Sequence, residues 1–307
     1  MTKPASRSTK LEDLLAGAQL PALPQSAIRL LELSQDPDNG PGEYAVPIES
    51  DPGLAGQVLR FVNSSYFGFS REISSVRLAI TLVGIRTIKN FALWSAVFSL
   101  MPNPKCGPFD LKSLWQDSLR RALFARHVGK WLGLRDAEDL FAAALLQDMA
   151  IPLLARELPD RYVQLITGRN GGKRRLSELE REAFGWTHAQ AAGFMARSWS
   201  LPDEFATLIE AHSDLDKWLT SDPLEIGKLA VSLSAVLPAA SDANWNDRDR
   251  CEAAFEQLKR TRNDNMTLEQ LFSLVDEGFK EFAPVLKLGT PAKSLVAVLQ
   301  EMSPAVV

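Results

Sequence analysis

The side chains whose types and spacing best suit metal binding or acid–base chemistry are Asp148, His188 and His212. His212 follows Phe205 and Ile209 by seven and three residues, the spacing of one helix face, and His188 and Asp148 share stripes with apolar residues in the same way. All three are therefore predicted to point inward. Imidazole nitrogens and a carboxylate suit a divalent cation or acid–base chemistry. Because an unpaired buried carboxylate is costly, we expect Asp148 to have a partner.

Two interpretations of these three residues remain open, a metal or acid–base site and a buried hydrogen-bond cluster. Spacing alone favours the cluster, because neither HxxxH nor HExxH occurs and histidines on apolar faces are usually satisfied core residues. His127 fits a core position even better. The basic run 173–175 follows Gly171 and Gly172 and could contact phosphates, but a short basic loop is normally solvated, and we interpret it so.

Composition limits the classes of partner. The chain has 307 residues, of which 46% are hydrophobic and 23% charged, and its net charge is -4. It therefore lacks a global positive field that would attract nucleic acid or an anionic membrane. Cys106 and Cys251 fit no thiolate metal motif, and no apolar run reaches the ~18 to 20 residues of a membrane span. We expect a cytoplasmic protein without a nucleic-acid or membrane partner.

Helices must position these side chains, since apolar residues recur at helical spacing almost throughout and few segments alternate as strands do. Asp51 before Pro52 predicts a helix start. Three capping boxes, Ser177 to Glu180, Thr187 to Gln190 and Thr267 to Gln270, predict others. The stretch Ser241 to Asp249 is rich in turn residues. The sequence thus predicts an all-α protein.

Several motifs resemble those of the HDOD domain family. They are LPALP (20–24), IESDPGL (48–54), VLRFVNSSYFG (58–68), ISSV (73–76), AITLVG (79–84), FGWTHA (184–189) and WSLP (199–202). The resemblance implies a multi-helix HD-like bundle with additional N- and C-terminal helices. We expect a polar N-terminal arm over 1–18, an HDOD domain over 19–215 and a C-terminal helical extension, packed on the core, over 216–307.

The resemblance also implies a relation to HD-type metal phosphohydrolases, which bind metal through a His, a His-Asp pair and a later Asp. Asp117 stands at the first position, Gln147 and Asp148 at the pair, and Val231 at the last. Glutamine is a poor ligand for a divalent metal and valine is none. His188 and His212 match extra histidines of related HD enzymes. We expect these six residues to be a degenerate, vestigial site that holds no metal.

A bacterial regulatory or signal-transduction module without catalytic activity or cofactor is the expected function. Its partner would be another signalling protein or a small ligand, and pairing of two copies through the C-terminal helices is a further expectation. The alternative is a metal-dependent phosphohydrolase or phosphodiesterase that uses a rearranged Asp/His site.

Overall fold

The computed structural model describes residues 10–18, 20–135, 137–262 and 265–301, and within these ranges the regular elements are helices without a strand. The predicted all-α fold is therefore confirmed. The helices are α1 (Leu11–Gly17), α2 (Gln25–Leu33), α3 (Pro41–Glu49), α4 (Pro52–Val62), a 3-10 helix (Ser65–Phe67), α5 (Val76–Val83), α6 (Ile85–Leu100), α7 (Leu111–Trp131), α8 (Ala137–Leu146), α9 (Ala150–Glu157), α10 (Pro159–Gly168), α11 (Leu176–Phe184), α12 (His188–Ser198), α13 (Asp203–Ala211), α14 (Leu215–Leu219), α15 (Ile226–Ser234), α16 (Arg248–Arg262), α17 (Leu268–Phe282) and α18 (Leu295–Glu301).

Helix starts follow the predicted caps with one exception. The Asp51 carboxylate accepts the Leu54 N–H at 3.0 Å, and the Thr267 capping box forms both of its bonds. At Thr187 only one of the two bonds forms, in which Gln190 Oε1 accepts the Thr187 N–H at 3.0 Å. The box predicted at Ser177 is wrong, because α11 begins one residue earlier, at Leu176. Glu180 is consequently free of any capping role and turns into the protein interior, where it is fully buried.

Helix α7 is the centre of the molecule. Helix α8, which follows it in the chain, packs along it, and two helices of the C-terminal part of the chain, α15 and α17, also pack on it. Gly129 of α7 allows the close approach of α8, since a Cβ at this position would lie 2.9 Å from Leu140 Cδ1. The predicted extension thus contributes to the same core as the preceding helices.

The N-terminal residues partly depart from the polar arm that we expected. Residues 1–9 lie outside the described ranges, and α1 follows them with Leu15 only 1% exposed. This short helix therefore packs on the core through Leu15 and through the partly buried Leu11 and Leu14. Across the described residues, none of the helices combines the length and apolar character that a membrane crossing requires.

Candidate functional site

Three separate segments deliver Asp148, His188 and His212 to one place. His188 is the first residue of α12, directly after the Thr187 cap, and His212 is the C-cap residue of α13. Asp148 lies in the turn between α8 and α9, so its predicted place on a helix is wrong, although it does point inward. All three side chains are buried and can offer ligand atoms that lie within 4.8 Å of one another.

The facing atoms of the three side chains form a small triangle. His188 Nε2 lies 3.0 Å from His212 Nε2 and 3.3 Å from Asp148 Oδ1. The third side, from His212 Nε2 to Asp148 Oδ1, measures 3.6 Å. Two imidazole nitrogens and one carboxylate oxygen therefore converge on a single point.

The opposite nitrogen of each ring is held by an acceptor. His188 Nδ1 lies 2.6 Å from Glu180 Oε2, which also accepts the His188 backbone N–H at 2.8 Å. His212 Nδ1 lies 2.6 Å from the Ile209 carbonyl oxygen. A carbonyl can only accept, and an ionised carboxylate likewise, so Nδ1 is the protonated nitrogen of both rings. Tyr162 donates its hydroxyl to the other Glu180 oxygen at 2.6 Å and completes this support.

Arg121 of α7 pairs with the remaining oxygen of Asp148. Burial opposes the charge of Asp148, but Arg121 and the two histidines outweigh it and hold the pKa of that carboxyl well below its usual range. Burial also disfavours a charged His188, yet Glu180 and Asp148 raise its pKa above the ordinary value. The pKa of His212 is lowered by burial and then by the neighbouring His188 charge. The additional proton is thus held by His188, whereas His212 stays neutral.

Three other positions singled out by the sequence lie nearby without joining the triangle. Gln147 is fully buried, and its Oε1 accepts a 3.5 Å contact from the Ser234 hydroxyl. Val231 is fully buried in α15. Asp117 accepts the Ala240 N–H at 2.8 Å, and burial raises its pKa to about 6. Among the described residues, the metal-compatible group consists of Asp148, His188 and His212 alone.

A cavity of about 160 Å³ opens on the triangle, whose three residues line its floor. Since ~10 to 15 Å³ suffices for one water molecule, a small organic molecule fits. Residues 235–247, between α15 and α16, form one side of the cavity, and we call them the wall segment. The charged residues that line the cavity are four arginines, Arg121, Arg169, Arg174 and Arg175, and five aspartates, Asp110, Asp117, Asp148, Asp242 and Asp247.

The arginine-rich side of the cavity includes residues that sequence reasoning placed in solvent. Arg174 and Arg175 of the basic run line the cavity together with Gly172. The Arg175 side chain is only 13% exposed, and its Nε lies 3.6 Å from Asp247 Oδ2 of the wall segment. Arg169 pairs with Asp242 of the same segment. In the sequence, the glycines beside the basic run 173–175 were the feature that could have indicated this part of the cavity. No feature of the sequence indicated that Glu180 supports His188.

Comparisons with known proteins agree with this architecture. The family model described as HDOD domain matches residues 20–215. An HDOD domain protein of unknown function from Geobacter sulfurreducens is 22% identical and has a TM-score of 0.71 over 91% of this chain and 97% of its own. A candidate phosphohydrolase from Shewanella amazonensis SB2B is 20% identical, with a TM-score of 0.66 over 91% of this chain and 96% of its own.

This chain covers a smaller share of two further relatives. A candidate signal transduction protein from Marinobacter aquaeolei VT8 is 22% identical, with a TM-score of 0.62 over 88% of this chain and 61% of that one. An uncharacterized protein of Treponema pallidum (strain Nichols) is 22% identical over 216 residues, which are 68% of this chain and 41% of the relative. The chain thus spans about two fifths of that curated relative. Since the family model covers well over half of the sequence, this chain belongs to the HDOD domain family.

Proposed function

We propose that this protein is a regulatory, signal-transduction module that binds a small phosphate-bearing molecule in the cavity. One observation carries the proposal, the cavity in which four arginines surround a buried Asp/His floor. Planar guanidinium groups match the oxygens of a phosphate and bind them in pairs, which makes arginine the preferred residue for such ligands. Of the two partner classes expected from the sequence, the small ligand is the one this cavity suits.

Arg175 is the arginine best placed to meet a ligand. Its separation of 3.6 Å from Asp247 exceeds the ~2.7 to 2.9 Å of a charge-assisted hydrogen bond, so donors of the guanidinium remain for another acceptor. Arg174 lies further out, 42% exposed, and pairs with Glu182. A phosphate would thus pass the outer arginine before it reaches Arg175 and the floor.

A ligand in this cavity would contact both the bundle and the wall segment. The wall segment is fastened to the bundle by the Asn244 N–H, which donates to the Gly171 carbonyl at 2.9 Å, and by the bond from Ala240 to Asp117. Occupancy would add a further connection between the same two parts. The state of the cavity would then be transmitted to the C-terminal helices that follow the wall segment.

Calorimetric titration of the full chain with ribonucleoside mono-, di- and triphosphates tests the proposal. We expect at least one of them to bind, and Arg175→Gln to weaken that binding by about tenfold or more because a charge-assisted contact is lost. Arg71→Gln removes the same charge from an exposed position outside the cavity and should leave the affinity unchanged. Equal affinities for the wild type and both variants would contradict the proposal, as would the absence of binding across the panel.

A metal-dependent phosphohydrolase is the second candidate, favoured by the position of the Asp148, His188 and His212 triangle beside Arg121 in the same cavity. A bound metal would supply a Lewis acid for phosphate chemistry. Release of inorganic phosphate from the same nucleotides in the presence of Mn²⁺, abolished in Asp148→Asn, would favour this enzyme. Binding without turnover would favour the regulatory module.

A further inference from the structure

We infer that Asp148, His188 and His212 bind one divalent transition-metal ion whose remaining coordination positions face the cavity. This inference deepens the proposed function, because the ion would take an oxygen of the phosphate-bearing ligand. The ligand set differs from the four positions that HD enzymes use. It keeps Asp148 and replaces the others with histidines from the start of α12 and the end of α13.

The hydrogen bonds at the opposite nitrogens leave His188 Nε2, His212 Nε2 and Asp148 Oδ1 facing one another. Because both Nδ1 atoms donate, to Glu180 and to the Ile209 carbonyl, neutral rings direct their Nε2 lone pairs toward each other at 3.0 Å. The ionised Asp148 Oδ1 completes the triangle. Three lone pairs at these distances repel unless a cation lies among them. A metal ion satisfies all three atoms at once, whereas a single shared proton can join only two.

The size of the triangle fits a transition metal. Bonds of ~2.0 to 2.1 Å to nitrogen and oxygen in a tetrahedral site place neighbouring ligand atoms about 3.3 Å apart. The three observed separations are 3.0, 3.3 and 3.6 Å. Three protein ligands leave a fourth position open, and the cavity lies on that side, because all three residues line it.

The surroundings of the rings match the usual support of metal-binding histidines. Such a histidine nearly always donates a hydrogen bond from its second ring N–H to a carboxylate or a backbone carbonyl, which fixes the orientation of the ring and its tautomer. His188 uses Glu180 in this way, and His212 uses Ile209. Glu180 is itself held by Tyr162, so the support extends one residue further.

Charge also favours a divalent ion. The carboxylates of Asp148 and Glu180 contact the rings, and the guanidinium of Arg121 pairs with Asp148, so these three groups together carry one excess negative charge when the rings are neutral. A divalent ion reverses this excess to one positive charge at the floor of the cavity. An anionic ligand would compensate for it, in agreement with the arginines around the opening.

Metal content of the full chain, purified without chelator and without a polyhistidine tag, is the first test. We expect about one transition-metal ion per chain, and chelator-treated protein should take up one equivalent of Zn²⁺ or Co²⁺ in calorimetric titration. His212→Gln and Asp148→Asn should lose this uptake, whereas His127→Gln, which removes the histidine outside the group, should retain it. Glu180→Gln keeps every ligand and should weaken Co²⁺ binding by about 10- to 100-fold.

X-ray absorption spectroscopy of the Co²⁺-loaded wild type is a second test, and it does not depend on whether a variant folds. Two imidazoles in the first coordination shell would support the site, and fewer than two would overturn it. Wild-type protein that takes up no Zn²⁺ or Co²⁺ would also overturn it and would leave a shared proton between the rings. Nucleotide binding that survives in such metal-free protein would preserve the proposed function, while metal uptake without nucleotide binding would reject that function and keep the metal site.

Discussion

Glu180 determines which nitrogen of His188 faces Asp148. Its Oε2 binds the His188 ring and backbone, and its Oε1 accepts from Tyr162, so no oxygen of this fully buried side chain lacks a donor. Buried carboxylates are stable only when they are paired in this way. The orientation of His188 therefore depends, through Glu180, on Tyr162 of α10, which lies outside the cavity.

The Tyr162 hydroxyl should consequently matter for stability and for the site. In Tyr162→Phe one Glu180 oxygen is buried without a donor, and we expect the free energy of unfolding to fall by about 1 to 3 kcal/mol. Urea denaturation measures the change. Tyr44→Phe, in α3 and away from the cavity, is the control. Equal stability of the two variants would show that Glu180 does not depend on Tyr162.

His127 provides a pH dependence separate from the site. Burial, followed by the charges of Arg126 and Lys130, lowers its pKa to about 4, compared with ~6.5 in an unfolded chain. Between these values the unfolded chain takes up a proton that the folded chain does not. The stabilisation that a neutral His127 gives is therefore complete above pH ~6.5 and is lost as the pH falls toward 4.

We expect His127→Gln to be less sensitive to acid than the wild type. The difference in unfolding free energy between the two proteins should change in favour of the variant between pH ~7 and ~4.5, as measured by denaturant titration at each pH. Parallel pH profiles would mean that His127 titrates alike in the folded and unfolded states.

Among the elements, the turn at Gly172 fixes the wall segment. Gly172 has a φ of 93°, a region that side chains disfavour, and a Cβ there would lie 2.8 Å from Asp242 Cβ and would also overlap the Asn244 carbonyl oxygen. Backbone atoms of the wall segment therefore approach this turn more closely than any residue but glycine permits. The Asn244 bond to Gly171 lies in the same contact.

Gly172→Ala should displace the wall segment. We expect weaker ligand binding in the cavity and a melting temperature below that of Gly185→Ala. The control shares the strain, because Gly185 has a φ of 80°, but nothing lies within 4 Å of its added Cβ. Calorimetry and thermal denaturation measure both effects. Variants with indistinguishable melting and binding would show that the wall segment tolerates the added methyl group.

The positions of the two site histidines could be predicted in part from local patterns. The Thr187 to Gln190 capping box places His188 at a helix start, and helical spacing turns His212 inward. The turn at Asp148 could not be predicted, because no glycine or proline separates it from α8. The meeting of three distant segments depends on how α8, α12 and α13 pack, which periodicity within one helix does not describe.

For the molecule as a whole, the family match ends at residue 215, but the core continues beyond it. The fully buried apolar residues that follow that point include these seven: Leu229, Val231, Leu233, Leu258, Leu271, Phe272 and Val275. At about 1.5 to 3 kcal/mol for each side chain, their burial contributes roughly 10 to 20 kcal/mol before the entropy cost of ordering the extension is subtracted. We therefore expect the bundle to need the extension that covers it.

A chain truncated after Leu215 should fail to fold cooperatively. We expect loss of the sharp thermal transition in circular dichroism and aggregation on size exclusion, because the surface of α7 that α15 and α17 cover becomes exposed. The full chain, measured under the same conditions, is the reference. Cooperative melting of the shorter chain would show that residues 20–215 are stable alone.

The wall segment gives this architecture a means of diversification. It lines the cavity, yet it lies outside residues 20–215, which define the family. Mutations in this stretch can therefore change the shape and charge of the cavity while the segments that carry Asp148, His188 and His212 keep their packing. Under the proposed function, duplicated genes of this kind would acquire different ligands by changing one connection between helices, with the inherited scaffold left intact.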